Sequence, residues 1–295
     1  ASGVSHFNQP VAVAWSAPII SGGTAPVATT CTPSSGSTFT AGSTTVICLA
    51  TDAGTQSAVC SFQVMVVRPP ELTATRFLAF GDSMTEGGQQ LPPSMFIVVP
   101  TESYPYRLNI LLSARYEDQS IAMTNAGWSG KFVADELNRL PGELAQYHPE
   151  VLLLLDGAND LLNGPSSATT QYIADTLRNM VKVTKSLFPS TRVMLANFPP
   201  QREGTYPYNR GVGAPFVPEL NQRIADVART EGVILVDLYG SFPLDTTVLI
   251  GVDGLHPTPA GYDLMAQIFA QAIKTNLEKP SAASSNGLPP VTARR

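Results

Sequence analysis

Short apolar segments alternate with longer amphipathic segments along most of the chain, and this alternation indicates the fold. The short apolar segments are residues 76–80, 120–124, 151–155, 192–196 and 233–236. They lack a strict alternation of apolar and polar side chains, as is typical of strands that are covered on both faces. The amphipathic segments are residues 104–116, 131–147, 170–187, 218–230 and 259–277. Strands that alternate with helices in this way predict an α/β fold with a parallel sheet flanked by helices.

The first 70 residues show the period-2 pattern of antiparallel strands. In residues 46–52 and 59–66 the even-numbered positions are mostly apolar, so each segment predicts a strand with one buried face. Asp52, Ala53 and Gly54 begin the turn between them, which predicts a β-hairpin. With the neighbouring segments this gives about six or seven short strands and predicts a small sandwich.

Prolines and small residues mark the predicted domain boundaries. Pro69 and Pro70 cannot continue a β-ladder and stiffen a connection, so they predict a short linker. We therefore expect a β-sandwich module at residues 1–70 and an α/β domain at residues 71–279. Residues 280–295 are rich in Ser, Pro and Gly, and they predict a disordered tail.

Composition and charge exclude several classes of partner. Of the 295 residues 43% are hydrophobic and 14% are charged, which is enough apolar surface for a packed core. The net charge is −5 and the sequence holds no run of lysines or arginines, which argues against nucleic acid or an anionic membrane as a partner. No apolar run approaches the roughly 20 residues of a membrane span.

The three cysteines, Cys31, Cys48 and Cys60, all lie in the first 70 residues. This region is polar but almost uncharged, and small modules of that kind commonly gain stability from a disulfide. Disulfides persist in oxidising compartments, so we expect an exported protein that is secreted, periplasmic or at the cell surface. Because the number of cysteines is odd, at least one thiol is expected to be free or to pair elsewhere.

Part of this region resembles a known extracellular domain. Residues 31–48 read CTPSSGSTFTAGSTTVIC, followed by ATD at 50–52 and CSFQV at 60–64. These segments resemble the hyalin-repeat (HYR) domain, although residues 55–56 are TQ where that family usually has GN. The resemblance implies an immunoglobulin-like sandwich that serves adhesion or spacing, through contact with carbohydrate or a cell surface. We expect Cys31 and Cys48 to pair, with Cys60 left over.

Polar segments follow four of the predicted strands at their carboxyl ends. They are GDS at 81–83, NAGWSG at 125–130, GAND at 157–160 and, across a loop after the last strand, DGLHP at 253–257. In an open parallel sheet, ligands bind outside the carboxyl ends of the strands. We therefore expect these four segments to meet at one edge of the sheet.

Ser83, which directly follows a buried strand and its turn, is the candidate nucleophile. A serine hydroxyl needs a base that removes its proton as it attacks. Of the three histidines, His6 lies in the β module and His148 precedes a strand at the opposite end of the sheet, so His256 is the candidate base. Asp253 can accept the other ring N–H of His256 and stabilise the imidazolium.

Three N–H groups are candidates for binding the oxyanion that forms when an ester carbonyl is attacked. They are the backbone N–H groups of Ser83 and Gly127 and the side-chain amide of Asn159. The expected reason for a glycine at position 127 is that the backbone must approach the ligand closely there. Asp82 and Asp160 are expected to hold loops by accepting hydrogen bonds from backbone N–H groups.

Three aromatic residues are candidates for binding the substrate. Trp128 lies next to one of the oxyanion candidates, and it could either stack on the substrate or pack under the next helix. Tyr206 and Tyr208 lie in the segment 203–218, which could supply a sugar-stacking surface or an acyl slot. This segment and the segment 91–105 are long for connections within a compact domain, which indicates that they shape the pocket.

Together the four polar segments resemble the SGNH/GDSL hydrolase family, with Ser83, Gly127, Asn159 and His256 as the matching residues. The resemblance covers about residues 72–277. It implies a three-layer, flavodoxin-like fold around a five-stranded parallel sheet. It also implies esterase, lipase, thioesterase or polysaccharide O-deacetylase activity without a metal ion or other cofactor. The sequence has no GxSxG nucleophile elbow, which argues against an ordinary α/β-hydrolase.

The sequence leaves three functions open. The first is a serine carboxylic-ester hydrolase for short acyl groups, with a small-molecule ester or an acetylated polysaccharide as substrate. The second is a lipase, lysophospholipase or thioesterase for longer acyl chains, which would need an extended apolar slot. The third is a binding or adhesion protein that keeps an idle hydrolase fold.

Overall fold

The computed structural model describes residues 2–4, 9–92, 95–205 and 208–280, and the chain divides into two compact units. One unit is Leu72–Glu278, and the other contains the residues that precede it. The predicted tail at 280–295 lies outside the described residues except for Pro280. In the ranges that the structure describes, no helix is both long enough and apolar enough to cross a membrane.

The described part of the N-terminal unit is built from short and long strands. They are β1 (Ser2–Val4), β2 (Val11–Ala12), β3 (Ala28–Thr32), β4 (Thr38–Phe39), β5 (Gly42–Thr51) and β6 (Ser57–Val67). Four of them form one sheet in the order β1-β6-β5-β3, and β2 pairs with β4 as an antiparallel pair. This arrangement is that of a small all-β module, as the sequence predicts.

The long strands β5 and β6 form the hairpin that the alternating pattern predicts, with Thr51 opposite Ser57 at its turn. Their buried side chains are those of even-numbered residues, namely Val46, Cys48, Val64 and Val66. A disulfide joins Cys31 of β3 to Cys48 of β5, which confirms the expected pair. Cys60 is free and exposed.

The second unit combines a parallel sheet with helices. Its strands are β7 (Arg76–Gly81), β8 (Gly88–Leu91), β9 (Met95–Val98), β10 (Ala122–Gly127), β11 (Val151–Leu155), β12 (Arg192–Ala196) and β13 (Ile234–Val236). Its helices are α1 (Ser83–Glu86), α2 (Tyr104–Arg115), α3 (Val133–Tyr147), α4 (Ala158–Asn163), α5 (Ser167–Leu187), α6 (Val217–Glu231), α7 (Leu238–Ser241) and α8 (Pro259–Leu277). Short 3₁₀ helices at Pro100–Glu102 and Gly211–Phe216 complete it.

The order of the strands gives the fold that the resemblance implies. Five strands form a parallel sheet in the order β10-β7-β11-β12-β13, and β8 pairs with β9 in a separate hairpin. This is the 2-1-3-4-5 order of flavodoxin-like folds. Helix α2 packs against α8, and α5 packs against α3 and α6, which makes two helical layers around the sheet. Each residue of Val151–Leu155 in the central strand β11 is buried, which explains why the predicted strands show no alternation.

Two expectations for this unit differ from the structure in detail. Strand β10 runs over Ala122–Gly127 and not over 120–124, because its last three residues continue the ladder opposite residues 79–81 of β7. Gly127 is therefore the last residue of a strand and not a loop residue after it. The segment 91–105, expected as a loop, contains β9, which pairs antiparallel with β8.

Candidate active site

Ser83 begins helix α1 at the carboxyl end of β7. Gly81, the last residue of β7, has a φ of +153°, and a Cβ atom there would lie 1.7 Å from the carbonyl oxygen of Leu155. The turn that leaves the sheet therefore requires glycine. Asp82 caps α1, because its Oδ1 accepts a hydrogen bond from the Met84 backbone N–H at 3.0 Å.

The Asp82 carboxylate also joins the ends of two neighbouring strands. Its Oδ2 accepts a hydrogen bond at 3.0 Å from the backbone N–H of Ala158, which opens α4 after β11. Asp160 Oδ2 accepts a hydrogen bond at 3.0 Å from the backbone N–H of Val133, which opens α3. Both aspartates hold loops, as the sequence predicts, and they fix Asn159 between them.

Ser83, His256 and Asp253 form a chain of hydrogen bonds. Ser83 Oγ lies 2.9 Å from His256 Nε2, and His256 Nδ1 lies 2.5 Å from Asp253 Oδ2. The exposed fractions of the three residues are 4%, 2% and 0% in that order, so the chain is shielded from water. Hydrogen bonds are stronger electrostatically in such surroundings. The structure thus brings together the three residues that the sequence analysis singles out for proton transfer.

Asp253 holds the imidazole of His256 in one orientation. Its second oxygen, Oδ1, accepts hydrogen bonds from the backbone N–H groups of Leu255 and His256, each at 3.1 Å. Burial raises the pKa of Asp253, but the hydrogen bond from His256 and its charge outweigh burial, so the net pKa is lowered. An ionised carboxylate at Nδ1 selects the tautomer with the proton on Nδ1, which leaves Nε2 as an acceptor for the serine proton.

A neighbouring loop anchors the segment that carries this pair. Arg202 Nη2 donates to the carbonyl oxygens of Ile250 and Gly251, at 3.0 Å and 2.8 Å. The backbone N–H of Arg210 donates to the carbonyl oxygen of Asp253 at 2.7 Å. The Arg202 side chain and the Arg210 backbone therefore support the Asp253–His256 pair from outside the sheet.

Gly127 and Asn159 lie at the same edge of the sheet as Ser83, at the ends of the two strands that flank β7. The Gly127 N–H donates to Asn125 Oδ1 at 2.9 Å. Asn159 Nδ2 donates to the carbonyl oxygen of Lys131 at 2.9 Å, and its second N–H remains, because a primary amide has two. Ser83 is the first residue of α1, where a backbone N–H has no acceptor within the helix.

The neighbour that requires glycine at position 127 is a helix and not a ligand, contrary to the expectation from the sequence. A Cβ atom at Gly127 would lie 2.2 Å from the backbone N of Glu86 and 2.6 Å from its Cα. The missing side chain therefore makes room for α1, the helix that begins at Ser83. Gly127 lets this helix pack directly against the end of β10.

The aromatic candidates differ in their surroundings. Trp128 has an exposed fraction of 50%, so its indole does not pack fully under α3. Lys131 Nζ lies 4.1 Å from the centroid of the indole ring. Tyr208 is also exposed, and its backbone N–H donates to the carbonyl oxygen of Thr205 at 2.9 Å. Tyr206 lies outside the described residues.

The structure adds Phe96, a residue that the sequence analysis does not single out. Its ring centroid lies 5.0 Å from that of His256, and the ring planes are inclined by 54°. A Cβ atom at Gly88 would lie 2.9 Å from Phe96 Cζ and 3.1 Å from Ser83 Cβ, so the phenyl ring lies beside the candidate nucleophile. The apolar run MFIVV at 95–99 indicates a strand. It does not indicate the partner strand β8, and the pairing with β8 is what places Phe96.

Three carboxyl groups, those of Asp82, Glu136 and Asp156, are fully buried around the ends of β7 and β11. Burial raises the pKa of each, and the charges of Asp82 and Glu136 raise that of Asp156 further. Burial raises the pKa of Glu136 to about 7, although its contact with Arg139 opposes the shift. Among the described residues, no group of three or more His, Cys, Asp and Glu side chains is arranged to hold a metal ion.

Two family models match the chain. Residues 79–264 match the GDSL-like lipase/acylhydrolase family, and residues 3–66 match the HYR domain. The first match covers more than half of the chain and includes Ser83, Asp253 and His256. The chain belongs to the GDSL-like lipase/acylhydrolase family. It is accordingly an ester hydrolase with a HYR-type module at its N-terminus.

Individual relatives agree with this membership. An arylesterase from Vibrio mimicus is 26% identical over 204 residues, which are 68% of this chain and 90% of that protein. A lipase/acylhydrolase structure from Enterococcus faecalis has a TM-score of 0.55 at 25% identity and covers 69% of this chain and 97% of its own. A carbohydrate acetylesterase structure from Sinorhizobium meliloti has a TM-score of 0.57 at 19% identity, with coverages of 68% and 99%, and it shows the fold alone.

Replacement of Gly127 by alanine should displace α1 and weaken both hydrolysis and the fold, since the new Cβ would clash with Glu86. We expect ester hydrolysis to fall at least about tenfold and the free energy of unfolding to fall by about 1–3 kcal/mol. Both can be measured, with 4-nitrophenyl acetate and by urea denaturation. Gly142→Ala is the matched control, because a Cβ at this exposed helical position meets nothing within 4 Å. Equal effects of the two variants would contradict the role of the α1 contact.

The raised pKa of Glu136 predicts a pH-dependent stability. The pKa is 4.5 ordinarily and about 7 in the folded protein, so the folded state binds more protons between these values. The free energy of unfolding from this group therefore falls as the pH rises from about 4.5 to about 7. Glu136→Gln removes the contribution, and its stability relative to the wild type should increase across this range in urea denaturation at a series of pH values. If the free energies of unfolding of the two proteins changed in parallel with pH, the raised pKa of Glu136 would be refuted. The control is Glu143→Gln, because Glu143 is the other carboxylate that Arg139 binds.

Proposed function

We propose that this hydrolase is a serine esterase in which Ser83 is the nucleophile, His256 the general base and Asp253 the group that orients the imidazole. The observation that carries the proposal is the buried chain of hydrogen bonds from Ser83 Oγ through the imidazole to the Asp253 carboxylate. A hydroxyl 2.9 Å from an imidazole nitrogen meets the geometric requirement for general-base activation. A binding or adhesion protein without catalytic activity would not need these three polar side chains to be aligned and shielded from water.

The proposed reaction has two steps. In the first, Ser83 Oγ attacks the ester carbonyl carbon while His256 Nε2 takes the hydroxyl proton, and a tetrahedral oxyanion forms. Its collapse breaks the bond to the alcohol oxygen, and His256 returns the proton to the departing alcohol. In the second step His256 deprotonates a water molecule as it attacks the acyl carbon, the bond from this carbon to Ser83 Oγ breaks, and His256 returns the proton to Oγ as the acid leaves. Asp253 stays ionised throughout and stabilises the imidazolium.

The proposed oxyanion site consists of the backbone N–H groups of Ser83 and Gly127 and the side-chain amide of Asn159. Asn159 is supported by its hydrogen bond to Lys131, which fixes the amide plane and leaves one N–H for the ligand. Use of the Gly127 N–H would require that its hydrogen bond to Asn125 be shared or broken. Ser83 and Asn159 offer donors without such a competitor.

We propose short acyl groups, such as acetyl, as the acid part of the substrate. The Phe96 ring lies beside Ser83 and against His256, so it takes up space that a long acyl chain would need. The indole of Trp128 is half-exposed, with Lys131 over its ring, and its exposed part is a candidate contact for a sugar. The structural neighbour from Sinorhizobium meliloti is, by its name, a carbohydrate acetylesterase. The proposed substrate is therefore a small-molecule ester or an acetylated polysaccharide.

We further propose that the protein is exported and acts in the secreted, periplasmic or surface compartment. The Cys31–Cys48 disulfide supports this, because such bonds persist in oxidising compartments. The match of residues 3–66 to the HYR domain supports a role of the N-terminal module as a spacer or as a contact to carbohydrate or the cell surface.

Ser83→Ala and His256→Ala should each lower kcat for 4-nitrophenyl acetate by at least about 10³-fold, because neither variant retains the activated nucleophile. Asp253→Asn should lose a similar factor, since the amide no longer selects the Nδ1-protonated tautomer. His148→Asn is a matched control, because asparagine tolerates the left-handed conformation of this remote histidine. A fluorophosphonate probe should label Ser83 in the folded wild type. Near wild-type hydrolysis by Ser83→Ala would contradict this mechanism, whereas no labelling of Ser83 in the folded protein would favour the binding protein.

Phe96→Ala should shift the preference of the enzyme toward longer acyl chains. We expect the ratio of kcat/KM for the octanoate and acetate esters of 4-nitrophenol to rise at least about tenfold, because each buried methylene adds binding energy once the ring is removed. Met95→Ala is the control, since Met95 is exposed and neighbouring side chains of a strand point to opposite faces. A wild type that already prefers the palmitate ester over the acetate ester would instead support the lipase alternative.

A further inference from the structure

Arg210 places a positive charge one aromatic ring away from His256. Its guanidinium carbon lies 5.6 Å from the centroid of the Phe96 ring, which itself contacts the imidazole. The Arg210 backbone is fixed by the hydrogen bond of its N–H to the carbonyl oxygen of Asp253. Within the described ranges of the chain, the guanidinium group forms neither a hydrogen bond nor an ion pair. The cation is therefore held at the site by a ring and not by an acid.

Two other arginines around the site differ from Arg210 in this respect. Arg139 binds the carboxylates of Glu136 and Glu143, and Arg202 binds two backbone carbonyl oxygens. The donors named here hold the protein together. The planar donor fork of Arg210 is left for a ligand, and a guanidinium fork matches a carboxylate in two parallel hydrogen bonds.

A second donor without a partner lies next to the same ring. Gln90 stands directly opposite Phe96 in the antiparallel pair of β8 and β9, so the two side chains lie on the same face of the hairpin. The residue has an exposed fraction of 6%, and its Nε2 has no hydrogen-bond partner in the part of the chain that the structure describes. Gln89, which points to the other face, donates from its Nε2 to Glu102. A buried amide donor is costly to leave unpaired, and an acceptor on a ligand would satisfy it.

We propose that Arg210 and Gln90 form a subsite, beside Phe96, for a carboxylate on the alcohol part of the ester. The inference rests on the proposed esterase function and specifies its substrate as an O-acylated hydroxycarboxylate, such as the acetyl ester of a sugar acid. Both side chains offer N–H donors, so the ligand group must be an acceptor, and the guanidinium charge favours an anion. The charge belongs to the alcohol because Phe96 restricts the acyl side to short groups. Because the net charge is −5, a local cation would favour the binding of an anionic substrate.

The test compares two acetyl esters of similar shape, the anionic 3-acetoxybenzoate and the neutral 3-acetoxybenzamide. Arg210→Gln should lower the ratio of their kcat/KM values about tenfold, mainly through KM for the anion, as expected for one lost charge-assisted hydrogen bond. Hydrolysis of the neutral ester should change by less than about twofold, which also shows that the variant folds. Arg210→Lys should keep part of the preference, because it retains the charge but not the fork. Gln90→Leu should lower the ratio about threefold by removing the amide donor.

Lys182→Gln is the matched charge control. It removes one positive charge from the C-terminal half of α5, where Lys182 is exposed and lies 3.9 Å from Glu231. If the ratio of kcat/KM for the anionic and neutral esters is unchanged in Lys182→Gln but falls in Arg210→Gln, a local subsite is supported. Equal falls in both variants would overturn it in favour of the overall field of the protein, and an unchanged ratio in Arg210→Gln would overturn it while the esterase function stands. Failure of the wild type to hydrolyse either ester would overturn the esterase function itself.

Discussion

The buried carboxylate of Asp82 is the contact on which the arrangement of the site depends. One oxygen caps the helix that begins at Ser83, and the other binds the backbone N–H of Ala158 at the end of the next strand. Burial raises the pKa of this carboxyl group, while the two backbone hydrogen bonds oppose the shift. A buried carboxylate is tolerated only when its hydrogen bonds are satisfied. The folded state therefore keeps both backbone contacts of Asp82, and these contacts hold the ends of β7 and β11 together. The candidate nucleophile Ser83 and the candidate oxyanion residue Asn159 are thereby held in one fixed geometry.

Close approach of backbones at the same edge imposes the second constraint. Gly81, at the end of β7, has no space for a side chain, because a Cβ atom there would meet the Leu155 carbonyl oxygen. Gly127, at the end of β10, has none either, because a Cβ atom there would meet Glu86 of α1. The three residues of the GDS motif thus have separate physical tasks, since glycine permits the turn, aspartate fixes the helix and serine is the proposed nucleophile. Gly127 is far from the motif in sequence, but it belongs to the same arrangement, because its missing side chain leaves space for helix α1, which begins at Ser83. A short motif therefore carries information about contacts that extend well beyond it.

The sequence predicts the α/β architecture well because its elements are marked locally. Buried parallel strands such as Val151–Leu155 appear as apolar runs, and helices such as Pro259–Leu277 begin after a capping residue, Thr258. The rule that ligands bind at the carboxyl ends of strands then groups Ser83, Asp253 and His256 without any coordinates. The extension of β10 to Gly127 and the position of Phe96 are not predicted, because both follow from the register between paired strands. Register depends on the partner strand, and a single segment does not contain it.

The surroundings of His256 bear on how the proposed binding cation and the proposed base share one site. The imidazole must become positively charged during the reaction, and a cation in direct contact would disfavour that form. In this structure the Asp253 carboxylate contacts Nδ1, whereas the guanidinium of Arg210 lies over the Phe96 ring, which contacts the imidazole. The electron-rich face of the ring holds the guanidinium by a cation–π contact. In the proposed mechanism one phenyl side chain would therefore both limit the acyl group and position the cation beside the base. The second task requires an aromatic ring, because an aliphatic side chain of equal size would fill the same space without holding the cation.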